Sequence, residues 1–298
     1  MSVLIDVPLR FDEASFEQFA AGFARAGAGG KVIVDAHAVE WISPFGFVSL
    51  LAAGQAIGEK TGTRPILTVP ADREVAHFCA RTGFVREAES LFEIHGKVPR
   101  VKAGETTVLL EVTPIRGAED VHTVVGHIQE RSSAILTAEL GLAPKATMGF
   151  GMALSEACQN IVEHAGTAGW VAVHAYSWRR LGRRVVVIAV ADAGVGFRHT
   201  LEATQANRYG ERWGDGAALQ AALLHSVSRF RDPGRGQGLA GIKNYLGRWQ
   251  GKISIRSGTA RIAIVPQWDD DAPLTEGLSP FPGAQVQLVI PAEAQTRQ

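Results

Sequence analysis

Two cysteines, Cys79 and Cys158, are all the thiols in this chain of 298 residues. They stand far apart, each inside an apolar helical pattern, and neither belongs to a metal-binding spacing. A disulfide framework and a cysteine-ligated metal site are thereby excluded, and both read as buried, reduced thiols. An excess of charge of either sign is also lacking. Thirty basic residues balance thirty acidic ones, so nothing in the total points to nucleic acid or an anionic membrane as a main partner. No uninterrupted apolar run approaches the roughly 18 residues that would span a bilayer. The opening "MSVLIDVPLRFDEASFEQF" has acidic residues where a signal peptide carries positive charge. Internal repeats and low-complexity tracts are missing too. These absences together predict a soluble, cytoplasmic protein.

What is present is an ordinary globular composition, 46% hydrophobic and 20% charged, over a length that favours two domains. Residues 1–98 alternate short apolar runs with helical patterns. "VLIDV", "KVIVDA" and "RPILTV" read as strands. "DEASFEQFAAGFARA", "SPFGFVSLLAAGQAIGEK" and "DREVAHFCARTG" read as helices, the last ended by Gly83. This βαβα rhythm predicts a small α/β domain. The stripe Phe16, Phe19 and Phe23 is core or interface packing, and Ser43 followed by Pro44 suits the N-cap and first position of a helix.

The aperiodic, charged stretch "KVPRVKAGE" marks a boundary, and residues 105–293 have another rhythm. A strand, "TTVLLEVTPI", precedes two long helices, "EDVHTVVGHIQERSSAILTAEL" and "PKATMGFGMALSEACQNIVEHA". Strands follow at "GWVAVHAYSW" and "RRVVVIAVAD", and after a long polar segment come the helix "GLAGIKNYLGRWQ" and strands "KISIRS", "ARIAIVP" and "AQVQLVIP". Helices first and hairpin-like strands later predict an α+β sandwich with helices on one face. "QWDDDAPLTEGLSPFPG", acidic and proline-rich, reads as a surface excursion between two strands.

Three features of this half carry chemistry. Glu156, Asn160 and His164 recur every four residues and form one polar stripe on their helix, either its wet side or the wall of a site. "VADAGVGF" sets Asp192, Gly194 and Gly196 behind an apolar strand. A carboxylate there can accept a hydrogen bond from an exocyclic amine, and the glycines let backbone approach a flat ring. "DPGRGQGLAGIKNYL" sets Gly234, Gly236 and Gly238 before a helix, as a phosphate cradle or a simple glycine cap. It has neither the lysine of a Walker loop nor the preceding strand of a Rossmann fingerprint. Each feature alone is weak. Their order, each in its expected structural context, is far more specific.

That order resembles the superfamily of gyrase, heat-shock chaperone ATPases, histidine kinases and MutL, whose members bind ATP in the Bergerat fold. "EACQNIVEH" is most similar to the anti-sigma-factor serine kinases. The resemblance implies that Asn160 binds a Mg²⁺ bridging the phosphates and that Asp192 reads the adenine amine. It places Gly194 and Gly196 along the adenine, and Gly234, Gly236, Gly238 and Leu239 around the phosphates. Glu156 becomes the candidate general base, with His164 as support near the metal helix and Arg235 as a phosphate contact. The stretch between Gly196 and Gly234 becomes a lid containing an amphipathic helix, "DGAALQAALLHSVSRF". The family's last strand opens Gly-Thr, whereas here Ala284 follows Gly283, and Gly258-Thr259 offers a second alignment.

"KVIVDAHAVEWISPFGFVSLLAA" resembles the STAS domain of anti-sigma-factor antagonists, in which a helix begins at a phosphorylatable serine. Phe45 stands at that serine's place, so the switch is missing. His127 is expected to be an ordinary helix-surface residue, because an α/β half stands where a histidine kinase has its dimerising hairpin. The expectation is therefore an ATP- and Mg²⁺-binding regulator with a serine-kinase-like domain fused to a STAS-like domain. Its implied partner is a regulatory protein such as a sigma-factor or STAS-type protein, without nucleic acid or membrane, and self-association is open. A hydrolysing ATPase with a conformational cycle and a non-catalytic nucleotide-binding module remain as alternatives.

Overall fold

The structure, a computed structural model, describes residues 2–26, 30–101, 108–127, 144–178, 181–224, 242–243, 246–247 and 249–292, without the side chains of 144–150 and of His164. The N-terminal half runs β1 (Val3–Asp6), β2 (Arg10–Phe11), α1 (Phe16–Ala24), β3 (Val32–Asp35), β4 (Trp41–Ile42), α2 (Pro44–Thr61), β5 (Ile66–Thr68), α3 (Arg73–Arg81), α4 (Phe84–Leu91) and β6 (Glu93–His95). Its sheet is parallel in the order β1-β3-β5-β6, with β2 and β4 forming a separate parallel pair. β2, β4, α4 and β6 were not apparent from periodicity, because each is too short to display one.

Helix α2 starts as its residues dictate. The Ser43 hydroxyl accepts the N–H of Gly46 at 3.0 Å, Pro44 occupies the first turn, and Gly62 in the left-handed conformation closes the helix. Apolar residues surround it almost completely, a pattern that requires burial on all sides. Gly46 is required by contact, since a Cβ there would lie 2.6 Å from the carbonyl oxygen of Phe11. Phe45 is buried as well.

The C-terminal half continues with β7 (Leu110–Ile115), a helix α5 described over 118–127, α6 (Pro144–Asn160), β8 (Gly169–Trp178), β9 (Arg183–Asp192), α7 (Gly196–Tyr209), α8 (Asp215–Leu224), β10 (Lys252–Ile264) and β11 (Leu274–Pro291). Its strands form one antiparallel sheet in the order β10-β11-β9-β8-β7. Together the halves make a mixed α/β protein, the second an α/β sandwich. His127 is exposed, and both cysteines are buried and free. Among the described residues no helix is long and apolar enough to cross a membrane.

Three expectations need correction. The proline-rich stretch is not wholly a surface excursion: Leu274–Phe281 extends β11 and pairs with β10 beyond a bulge at Gly258. Likewise "KISIRS" and "ARIAIVP" are one strand, bent at that bulge, since Gly258 (φ +62°) keeps the ladder going. Helix α8 is also apolar on more than one side and packs into the core.

Side-chain alternation explains how the halves meet. Val186, Ile188 and Val190 of β9, Val171 and Val173 of β8, and Val286 and Leu288 of β11 face α6, α7 and α8 in one core. The intervening Ala189, Ala191, Ala172 and Trp170 belong to the same cluster as Phe16, Phe19, Phe45 and Phe47 of the N-terminal half. The alanines are small enough for α2 to lie close against the sheet. Phe281 extends the contact, with its ring 5.0 Å from Phe16 and 4.6 Å from Phe23. Arg256 bonds Glu17 at 2.7 Å and lies over the Phe16 ring. The backbone N–H of Val112 donates to the carbonyl of Thr82.

This shared core predicts one unfolding transition. Phe281→Ala should cost about 3–5 kcal/mol, and in urea the near-UV signals of Trp41 and Trp170 should be lost together with far-UV ellipticity. Separate transitions for the two tryptophans would contradict the shared core.

Candidate functional site

Asp192 ends β9 on the helix-facing side, two residues after Val190. It is buried, and its Oδ1 accepts the N–H of Gly194 at 2.8 Å, with a further backbone N–H from Ala284 reaching the carboxylate. Burial pushes its pKa up to about 6, against the pull of those two N–H groups. A carboxylate has about four acceptor sites, so capacity remains for a ligand donor.

The turn after Asp192 is seated on the end of the helix that carries Glu156 and Asn160. The N–H of Val195 donates to the carbonyl of Ala165 at 3.1 Å, and a Cβ on Gly194 would lie 2.0 Å from that same oxygen. No other residue fits at position 194 without moving the turn. On the far side, Gly283 (φ +67°) abuts Asp192, and a Cβ there would come within 2.1 Å of the Asp192 carbonyl oxygen. Gly196 (φ +72°) begins α7 against the hydroxyl of Ser257. That hydroxyl donates to the Gly283 carbonyl at 2.7 Å and accepts the N–H of Phe197 at 3.1 Å.

Helix α6 turns its Leu154, Ala157 and Cys158 into the core and leaves Glu156 and Asn160 half-buried along its flank. Burial, and secondarily the Glu163 carboxylate, holds the Glu156 carboxyl above its ordinary range. Glu163 accepts a hydrogen bond from the Gln159 amide at 3.0 Å. After Asn160 the chain makes a π-helical turn, Ile161–Ala165, closed by Gly166 in the left-handed conformation. This wider turn carries His164 away from a strict four-residue stripe; its side chain lies outside the description.

The structure thus seats the Asp192–Gly196 turn, through Gly194 and Val195, on the end of the Glu156/Asn160 helix. Gly234, Arg235, Gly236, Gly238 and Leu239 lie outside the described residues. The ambiguity over the last strand also resolves. Thr259 hydrogen-bonds Asp215 at the start of α8, at 2.7 Å from its hydroxyl, so Gly283-Ala284 is the pair beside Asp192. Sequence reading missed Ser257 and Gln285. The Gln285 amide donates to the carbonyl of Pro282 at 2.9 Å and faintly to that of Asp192 at 3.4 Å. A polar residue within the otherwise apolar "AQVQLVIP" was the available signal.

These residues suit a purine nucleotide. The buried carboxylate offers an acceptor to an amine, and Gly283 keeps a side chain away from it. Among the described residues no cluster of three or more acidic, histidine or cysteine side chains forms a metal cage. A Mg²⁺ held mainly by phosphates and water needs no cage, and Asn160 offers an amide oxygen.

A strand-end carboxylate, a glycine turn docked on a helix end and an antiparallel sheet backed by helices define a GHKL-type ATP-binding domain. Residues 147–293 match the family model described as "Histidine kinase-, DNA gyrase B-, and HSP90-like ATPase", and this part of the chain is a domain of that family. No curated protein matches the chain.

The raised pKa of Asp192 sets a sign. Between the unfolded value near 3.8 and the folded value of about 6 the native state holds the extra proton, so stability rises as pH falls through that window. Above it, the ionised carboxylate is a burden on the unliganded fold. Asp192→Asn should therefore stabilise the unliganded protein at pH 7.5 by roughly 1–3 kcal/mol and flatten the rise in stability between pH 7 and 4. Thermal unfolding across that range checks this. An unchanged pH profile in the variant would contradict the assignment.

Proposed function

We propose that the chain is a nucleotide-controlled regulatory protein. In this reading its C-terminal half binds Mg-ATP in the manner of an anti-sigma-factor serine kinase, and its N-terminal half is a STAS-like element. The seating of the Asp192–Gly196 turn on the end of the Glu156/Asn160 helix carries this reading. That contact joins the strand end bearing Asp192 to the helix bearing Asn160 and Glu156, and it supports reading the three as amine acceptor, metal ligand and base.

Each residue then has a role set by its chemistry. Asp192 accepts from the adenine amine, Gly283 keeps a side chain off its carboxylate, and Gly194 lets the turn seat on Ala165. Asn160 presents its amide oxygen to Mg²⁺. Glu156, a stronger base than a fully solvated carboxylate, takes a proton from water or from the hydroxyl of a partner protein. Gly234, Arg235, Gly236, Gly238 and Leu239 contribute backbone N–H groups and one cation to the phosphates, and His164 supports the metal helix. ATP supplies a transferable phosphoryl group.

The STAS-like half acts as a scaffold in this proposal. Ser43 is buried and already bonded to Gly46, and Phe45 fills the place of the missing switch serine against the sheet. The phospho-acceptor is therefore sought in a second regulatory protein, a sigma-factor or STAS-type partner. One observation favours a second reading, binding without catalysis: Ala284, whose backbone N–H bonds the Asp192 carboxylate, has no hydroxyl where the family pattern has a threonine.

Calorimetry with Mg-ATP tests the proposal. One site is expected, and a hundredfold excess over Kd should stabilise the fold by about 2.7 kcal/mol. Asn160→Ala should weaken Mg-ATP far more than metal-free adenosine. Glu156→Gln should bind within a few-fold of the native protein while losing phosphate release or transfer. Absence of heat on folded protein would overturn both readings. Equal binding with no turnover in either protein would select the second.

A further inference from the structure

Beside the candidate site strand β11 does not follow β10 evenly. Ser257 stands opposite Ala284 and Gly258 opposite Phe281, so Pro282 and Gly283 have no counterpart on β10 and bulge out of the ladder. Gly283 is the residue pressed against Asp192, and the N–H of Ala284 bonds the carboxylate. The carboxylate is thus framed on this side by backbone that the ladder with β10 does not hold.

Ser257 holds it instead. Its hydroxyl is buried, donates to the Gly283 carbonyl at 2.7 Å and accepts the N–H of Phe197 at 3.1 Å. Regular structure leaves both partners over. The bulge takes the Gly283 carbonyl out of the ladder, and Phe197 lies in the first turn of α7, whose N–H groups have no carbonyl one turn back. Val195, at the N-cap of α7, makes no side-chain cap. A serine from β10 therefore does for α7 what a capping serine does within its own helix. The start of α7 is also moulded to it, since a Cβ on Gly196 would lie 2.6 Å from the Ser257 oxygen. One hydroxyl ties the turn that follows Asp192 to the bulge that faces it. Gln285 secures the bulge as well, by donating to the Pro282 carbonyl at 2.9 Å. The neighbours of Ser257 bind elsewhere: Arg256 bonds Glu17 of the N-terminal half at 2.7 Å, and Thr259 bonds Asp215 of α8.

We infer that Ser257 is the positioning residue of the Asp192 carboxylate and through it sets the preference of the site for a purine bearing an amine. The ligand is that of the nucleotide reading, on which this role rests. Ser257 acts through backbone: it keeps the Ala284 N–H on one part of the carboxylate and leaves the remaining acceptor capacity open to the amine. Without the hydroxyl, two buried backbone groups lose their partner and the Ala284 bond loosens. That bond favours the ionised form, so its loosening leaves Asp192 protonated to a higher pH. A protonated carboxyl offers less to an amine and can donate to an oxygen at the same ring position.

The test compares Ser257→Ala, Ser257→Thr and Thr259→Val in the full-length protein. Carboxyl NMR follows the titration of Asp192, and calorimetry compares Mg-ATP with Mg-ITP, which carries an oxygen in place of the amine. In Ser257→Ala the Asp192 titration should move up by about one pH unit, the worth of a weakened bond to a charged group. ATP should weaken about tenfold while ITP stays within about twofold. Ser257→Cys, with a thiol that bonds weakly, should shift both in the same direction by less and answers the same question if the alanine variant does not fold. Ser257→Thr keeps the hydroxyl and should keep both native values. Thr259→Val removes a hydroxyl bond from the same strand and should lower stability while changing neither. An unchanged Asp192 titration or an unchanged ATP-to-ITP ratio in folded Ser257→Ala would overturn the role, as would equal shifts in Ser257→Thr or Thr259→Val. If the native protein binds neither nucleotide, the nucleotide reading fails by itself, and the Asp192 titration still decides whether Ser257 positions the carboxylate.

Discussion

Through the middle of β8, β9 and β11 alternate residues are apolar, and on β9 so are the residues between them. That constraint organises the molecule. An antiparallel sheet commonly buries one face and wets the other, but Ala172, Ala189 and Ala191 make the second face of β8 and β9 apolar too, beside the buried Gln285 and Gln287 of β11 and Lys252, Ser254 and Arg256 of β10. A second layer must cover it. The all-round apolar helix α2 has the complementary problem, and each solves the other's. The N-terminal half is thus the third layer of a sandwich as much as a unit of its own.

The same constraint positions the candidate site. Strand alternation sends Asp192 to the helix side, while Ala191 and Ala193, its neighbours in sequence, are buried on the other. The segment 281–285 touches both layers within a few residues. Phe281 sits among the phenylalanines of the N-terminal half, Gly283 lies against Asp192, and the Ala284 N–H bonds its carboxylate. The geometry around the carboxylate is therefore fixed from two directions, by the helix-end turn through Gly194 and by the third layer through Phe281.

Much of this was legible in the residues, and the remainder has definite physical reasons for being hidden. Long alternating strands and the Ser43-Pro44 cap announce themselves through local rules that depend only on near neighbours. The Asp192, Gly194, Gly196 turn was legible as a motif, and contact distances then showed why glycine is needed at 194. What escaped was short or non-local. β2 and β4 have two residues each, below any period. Leu274–Phe281 carries proline and glycine and reads as loop, yet it forms a ladder with β10 only, an edge arrangement that tolerates proline. The burial of Phe281 depends on partners more than 250 residues earlier, and the π turn at Ile161 breaks a spacing that α-helical geometry alone would continue.

The junction between the halves joins two unlike materials. At one end phenylalanine rings meet around Phe281, and at the other Lys252 and Arg261 are clasped by Glu13, Asp269 and Asp271. Burial alone would raise Asp271, but its two cationic neighbours outweigh that and hold it well below the ordinary carboxylate range. Aromatic burial weakens on cooling, whereas an ion-paired carboxylate lets go only when acid titrates it. Cold and strong acid should therefore loosen the seam from opposite ends, the first beside the candidate nucleotide site and the second at the Lys252 and Arg261 pairs with Asp271.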